Sequence, residues 1–344
     1  MPFWRGPRLR LNLLVALGFA AFLFYLFFSS SGSPPLASTP PPAARPGSGG
    51  PMQALTPDVH GSPDSKPRIP PNLGDDDVEM VVASMKKENT TWLHEYLLDW
   101  HKNIYVVDDP KAELTVPKNK GREAMVVLTY IIDRYDSLPG NIIFHHAERF
   151  QWHNDNPDYD ALPLLKNIRL SHIKAQGYVN LRCVWVLGCP TEIRPSKDES
   201  PTNTGPVHAK HVYKPAFEEL FPMVAVPESI GVPCCSQFAL RRETIRLRSK
   251  ADYVRWRNWL LNTDLEDALS GRIMEYSWHI MFGKPAVHCP DPATCYCKLY
   301  GLCDLKCKKD GCESQYTLPK YATLPKGWPK IGWDGEDRHW KGDL

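Results

Sequence analysis

The chain has almost no charge of either sign to spare: 41 lysines and arginines face 39 acids, leaving a net charge of +2. That removes the electrostatic footprint of nucleic-acid binding, so no nucleic-acid partner is expected. There is no Gly-X-Y period, which excludes collagen, and the 33 prolines exclude a long coiled coil. Only one apolar run reaches membrane-spanning length, which argues against a channel or transporter. G-x-S-x-G, H-E-x-x-H, the P-loop and G-x-G-x-x-G are all missing. Their absence weighs against serine hydrolases, zincins and nucleotide hydrolases. Residues 29–75 hold neither an aromatic residue nor a cysteine.

That same stretch carries 12 of the prolines. It cannot bury enough apolar surface to offset its ordering entropy, and it reads as a semi-rigid polyproline-type stalk. Before it, residues 11–28 form a nearly continuous apolar segment, about 27 Å long as a helix, enough for a thin bilayer. Arg5, Arg8 and Arg10 precede it, and the next basic residue is Arg45. The positive-inside rule then gives a cytosolic tail (1–10), a bilayer anchor (11–28), a stalk (29–75) and a lumenal body. A cleaved signal peptide is the competing reading, opposed by the bulky Phe-Tyr-Leu-Phe-Phe ending of the run. The expectation is a single-pass type II membrane protein of the secretory pathway, in the Golgi.

The body holds ten cysteines, from Cys183 to Cys312, in an oxidising compartment, so disulfides are the expected state. Six fall between Cys289 and Cys312 and suggest a stapled C-terminal extension (289–344) on a globular domain (76–288). The adjacent Cys234 and Cys235 are expected to pair with different partners. Zinc is disfavoured because C-x2-C pairs are lacking. Asn89-Thr90-Thr91 is an N-glycosylation sequon.

Within the body, strands are expected at 78–84, 104–107 and 141–144, the last running into His145-His146, with more at 178–186 and 236–241. Helices are expected from Thr90 or Thr91 to Trp100, from Asn119-Lys-Gly-Arg-Glu123 onward, and over 251–261 and 271–282. The second has the clearest stripe, with Ala124, Val127, Leu128, Ile131, Ile132 and Tyr135 on one face. Residues 192–210 read as loop. Strand–helix alternation predicts parallel βαβ units.

Ligands in open α/β sheets bind beyond the carboxyl ends of the strands. There lie His145, His146, Glu148, His153 and Asp155, packed into 11 residues. Imidazole with carboxylate suits Mn²⁺, Zn²⁺ or a catalytic base, with His145 and Asp155 the candidate metal ligands; a polar surface loop is the plain alternative. Asn119, Arg122 and Glu123 open a helix and outline a phosphate site. Glu275 and His279 are four apart on a presumed helix and could pair. Trp152, His153, Gln237 and Trp278 are candidate substrate contacts. Two D-x-D strings, at 75–77 and 158–160, are too short to be specific.

The sequence from Val81-Val82-Ala83 through Asn119-Lys-Gly-Arg-Glu-Ala124, Trp152-His153-Asn154, Cys234-Cys-Ser-Gln-Phe-Ala239 and Glu275-Tyr-Ser-Trp-His-Ile280 resembles a large fungal family catalogued as a domain of unknown function. The Asn-x-Gly-Arg-Glu turn and the Phe-Ala-x-Arg-Arg segment more distantly resemble bacterial polysaccharide glycosyltransferases of the GT-A type. That resemblance implies a single GT-A-like, Rossmann-like mixed sheet flanked by helices. It also implies transfer from a nucleotide sugar, with Mn²⁺ or another divalent metal, to a glycan or polysaccharide acceptor. GT-A enzymes usually hold their metal with D-x-D at a strand end, a place taken here by His145-His146. The alternatives are a non-enzymatic disulfide-stapled binding module and a metal-dependent hydrolase using His145, His146, His153 and Asp155.

Overall fold

A computed structural model describes residues 74–151, 153–156, 159–185, 187–198 and 207–303. The tail, anchor and most of the stalk lie outside the described residues, as do Trp152, Asp158 and the chain beyond 303. In chain order the elements are β1 (Val78–Ser84), α1 (Thr91–Tyr96), β2 (His101–Val106), α2 (Ala124–Arg134), β3 (Asn141–His146), α3 (Ala161–Lys166), α4 (Leu170–Gln176) and β4 (Tyr178–Asn180). They continue with α5 (Ala209–Leu220), β5 (Phe238–Arg241), α6 (Arg242–Ile245), α7 (Lys250–Asn262), α8 (Asp267–Glu275), α9 (Trp278–Met281) and α10 (Pro292–Cys295), which runs into a π turn at Tyr296–Tyr300. Among the described residues, no helix is long and apolar enough to cross a membrane.

The strands form one mixed sheet in the order β2-β1-β3-β5-β4. β1 pairs in parallel with β2 and β3, whereas β5 is antiparallel to both β3 and β4. The βαβ expectation therefore holds for the first three strands. β3 is buried along its whole length, as a central strand covered on both faces should be. Ile142 and Phe144 join one apolar cluster with α2, α5, α7 and α8; Ile143 joins the other with α1, α3, α4 and the π turn. The result is three layers, helices on both faces of one sheet.

The helix expected from 119 begins at Ala124 and buries Ala124 through Ile132 continuously. Inside its cluster lies Glu79, fully buried, which accepts from Tyr130 Oη (2.5 Å), Arg134 Nη2 (2.8 Å) and Asn103 Nδ2 (3.0 Å). Three donors satisfy a carboxylate that would otherwise be costly to bury. The turn into α2 needs two consecutive left-handed residues, Gly121 (φ 67°) and Arg122 (φ 54°). A Cβ on Gly121 would stand 2.5 Å from Leu260 Cδ1. Gly121→Ala is expected to lower stability by about 2 kcal/mol, from crowding plus the positive φ. Unchanged chemical denaturation would show that the turn relaxes freely.

Three expectations need correction. The strand at 178–186 stops at Asn180, because edge strand β4 has only β5 beside it and its last pairing beyond the strand is Leu181 N to Gln237 O. The helix over 271–282 breaks after Glu275: Ser277 Oγ bonds back to Ile273 O (2.7 Å) and meets Tyr213 Oη, so the backbone restarts as α9. Helix α5 begins at the end of the segment read as loop, started by reciprocal capping between His208 and His211.

The disulfides are Cys183–Cys295, Cys189–Cys289, Cys234–Cys235 and Cys297–Cys303. Two of them tie the C-terminal cysteines back to the 183–189 segment, so the extension is fastened to the α/β body. Cys234 and Cys235 pair with each other, against expectation; Cys235 takes φ 76° there.

Candidate functional site

The chain leaves β1 for β2 on one side and returns to β3 on the other, so the strand order reverses at β1. A cleft of about 440 Å³ opens at that point. Its floor is Ala83 to Met85 at the end of β1, Val107 after β2 and His146-Ala147 at the end of β3; Asn119, Arg122, Glu123 and His153 form its walls. This is the crevice in which open α/β sheets bind ligands. The register Ala83↔His146 carries the histidine to the end of the parallel ladder.

Strand alternation separates the two histidines of β3. His146 points to the α2 side, where its Nδ1 lies 3.0 Å from Glu123 Oε1. Glu123 is held down to about 2: burial pushes its carboxyl up, but the His146 charge and hydrogen bond and its own backbone N–H outweigh that. An ionised carboxylate only accepts, so Nδ1 carries a proton in this contact. Nε2 is buried and has no hydrogen-bond partner. The His153 ring stacks on His146 at 4.4 Å, and burial lowers its pKa to about 3, keeping it neutral. The arrangement is an oriented imidazole with one unused nitrogen.

His145 faces the opposite layer, edge-on to Trp92, and its Nδ1 meets the His146 carbonyl at 2.9 Å. Burial lowers its pKa to about 3. Asp155 accepts from Cys183 N (2.7 Å), Val184 N (3.1 Å) and Tyr296 Oη (2.6 Å), clamping the segment after β4 to the π turn. Neither residue lines the cleft. Asp155 spends Oδ2 on its three donors and keeps Oδ1 beside Arg182 Nε (3.8 Å), and His145 and Asp155 are not in a group of ligand atoms close enough to hold a metal among the described residues. The four residues of the hydrolase reading are likewise not gathered. Asp160 of the second D-x-D is taken bidentately by Arg149 (2.8 and 2.7 Å) and caps α3. Among the described residues, the His, Cys, Asp and Glu cluster close enough for a metal is Cys234, Cys235 and Glu275, whose sulfurs are joined as a disulfide.

Glu275 accepts from Cys235 N (2.6 Å) and pairs with Arg272 Nε (3.3 Å). Burial holds its carboxyl above the ordinary range, against Arg272 and the Cys235 N–H; Glu123 and His146 are near enough for their charges to act on it. His279 lies on α9, fully buried, with Nε2 on the Ala286 carbonyl (2.9 Å), and is not paired with Glu275. Trp278 stacks on Phe282 in the core and Gln237 is buried against Asn154; neither lines the cleft. In the 119–123 turn, Lys120 is engaged by the carbonyls of Thr263 and Leu265, whereas no hydrogen bond or ion pair engages the exposed Arg122 guanidinium among the described residues. Asn89 is exposed, its Oδ1 accepting from Thr91 N and Oγ1 at the start of α1.

A family model described as "protein of unknown function (DUF3431)" matches residues 80–298, the whole span from β1 to the π turn. The chain belongs to that family. No curated protein and no solved structure matches it. The matched span contains every wall of the strand-end cleft, so the Glu123–His146 pair is framed by the family's own fold.

Residues missed by sequence reasoning line the site as well: Asp267, whose Oδ1 accepts from Gly121 N (3.3 Å), and Gln151, which meets His153 Nδ1 at 3.1 Å. Asp267 lies 146 residues from the turn it holds, and no local pattern signals such a contact.

Proposed function

We infer that this protein is a glycosyltransferase that moves a sugar from a nucleotide sugar to a glycan or polysaccharide acceptor. The observation that carries the reading is the oriented Glu123–His146 pair beside an unpaired arginine, at the switch point of a mixed sheet. The strand order, with an antiparallel strand next to the parallel three, agrees with the GT-A-like resemblance. The diphosphate of the donor would meet Arg122 and the N-terminal end of α2, whose partial positive charge favours anions. His146 Nε2 would take the proton of the acceptor hydroxyl while that oxygen bonds to the sugar carbon and the sugar–phosphate bond breaks. Glu123 would stabilise the imidazolium so formed. Stabilising the departing diphosphate supplies much of the catalysis in such chemistry. A divalent ion such as Mn²⁺ would supply charge stabilisation of the leaving diphosphate, and no step here requires it at His145 and Asp155.

The apolar run at 11–28, with arginines before it, supports a type II anchor with the body in the Golgi lumen. The four disulfides among the described residues suit an oxidising compartment.

The test is a panel of sugar nucleotides offered to the purified full chain, with and without Mn²⁺, read by thermal stabilisation, hydrolysis and transfer. At least one nucleotide sugar is expected to bind and turn over. His146→Ala should keep nucleotide binding and lower turnover by about 10²-fold, the usual size of a lost general base. Silence across the whole panel in all three readouts would sink the reading.

A further inference from the structure

A second cleft of about 490 Å³ lies across Arg122 from the strand-end cleft; Arg122 and Ala268 line both. Its charged lining is Arg122, Lys210, His208 and Arg272 against one acid, Glu192. Arg272 is already engaged by Glu275. Three permanent cations facing Glu192 and that carboxyl therefore leave an excess of about one positive charge. Tyr276 lines the cleft too; it is buried, with the Arg272 guanidinium against its ring and hydroxyl. A guanidinium can only donate, so the Tyr276 hydroxyl proton is left for a ligand to accept.

We propose that this second cleft binds an acceptor sugar through one oxyanion, a phosphate monoester or a carboxylate. The excess of about one charge suits a single such group and not a polyanion. Planar guanidinium groups match both oxyanions bidentately. Lys210 adds a point charge, and the Tyr276 hydroxyl supplies a donor. Arg122, held in its left-handed conformation at the wall between the two clefts, has a place in both. Because Arg122 lines both clefts, it links anion recognition here to the strand-end cleft that holds His146. The assignment rests on the glycosyltransferase reading for the word acceptor, and on this cleft alone for the anion.

The experiment is titration calorimetry on the full chain with glucose 6-phosphate, glucuronate, inorganic phosphate and glucose. One or both sugar anions are expected to bind more tightly than inorganic phosphate, with glucose silent. Which sugar anion binds identifies the oxyanion. Lys210→Gln, an exposed change, should weaken that binding at least fivefold while leaving nucleotide-sugar binding unchanged. Tyr276→Phe should weaken it about threefold or more without loss of thermal stability. Failure of both sugar anions to bind overturns the proposal, as does binding indifferent to Lys210→Gln. If nucleotides bind and the anions do not, the anion site falls and the glycosyltransferase reading stands. If anions bind in a Lys210-dependent way while nucleotides do not, the reverse holds.

Discussion

Between pH 7 and pH 5 the two most deeply buried histidines are expected to remove about 4 kcal/mol of stability, with the half-buried His153 and His288 acting in the same direction. Burial lowers His145 to about 3 and His279 to about 4, each against the mild opposing pull of a backbone carbonyl. An unfolded histidine titrates near 6.5. Below that value the unfolded chain binds protons that the folded chain refuses, so stability is fully present above about pH 6.5 and drains away as pH falls. At pH 5 each such group contributes a loss of about 2 kcal/mol, a large part of the 5–15 kcal/mol that domains possess. Glu123 acts in a different window: its carboxyl, held down to about 2, keeps its stabilising share until pH drops below about 4.5. Asp155 and Glu275 act in the opposite sense, since burial raises both and their share grows as pH falls. Guanidinium unfolding at the two pH values measures the slope. His145→Asn and His279→Gln should each reduce the loss by about 2 kcal/mol, and a stability flat between pH 7 and 5 would refute the assignment.

Removing the Cys183–Cys295 bridge by a double serine substitution is expected to cost about 3 kcal/mol. The bridged residues are 112 apart, but Cys189–Cys289 already closes nearly the same loop, so in the chain-entropy account this bridge adds the closure of about 12 residues, the two segments between the bridges. The bond also sits beside the Asp155 clamp, in which Cys183 N and Tyr296 Oη both reach one carboxylate oxygen. The melting temperature should fall by about 10 °C for a body of this size. Cys297–Cys303, with a separation of 6, provides the comparison, and its removal should cost about 2 kcal/mol. Equal losses for the two bridges would show that loop closure is not what stabilises here.

Legibility along the chain followed the range of the forces involved. β1, β3 and α2 announce themselves because apolar periodicity records which face is buried, and burial on both faces of β3 leaves the unbroken run Ile142-Ile-Phe144. The break between α8 and α9 left no such mark. It depends on Ser277 choosing the Ile273 carbonyl and on Tyr213 arriving from α5. His279 consequently changed from the partner of Glu275 to a core histidine, and Trp278 from a sugar platform to a packing residue. The segment 145–155 is dense in titratable side chains, but composition cannot divide it. Strand alternation and packing sent His146 and His153 to the cleft, His145 to Trp92, and Asp155 to backbone amides.

By itself the sequence determined the class of the body, the parallel pairing of the first three strands and the apolar stripe of α2, because each is written in local periodicity or in residue type. Only the tertiary structure decided which carboxylate meets which imidazole, which cysteines join, and that two clefts share one arginine. Those choices bring together residues as far apart as Gly121 and Asp267, or Cys183 and Cys295, and contacts across such distances follow from how layers pack.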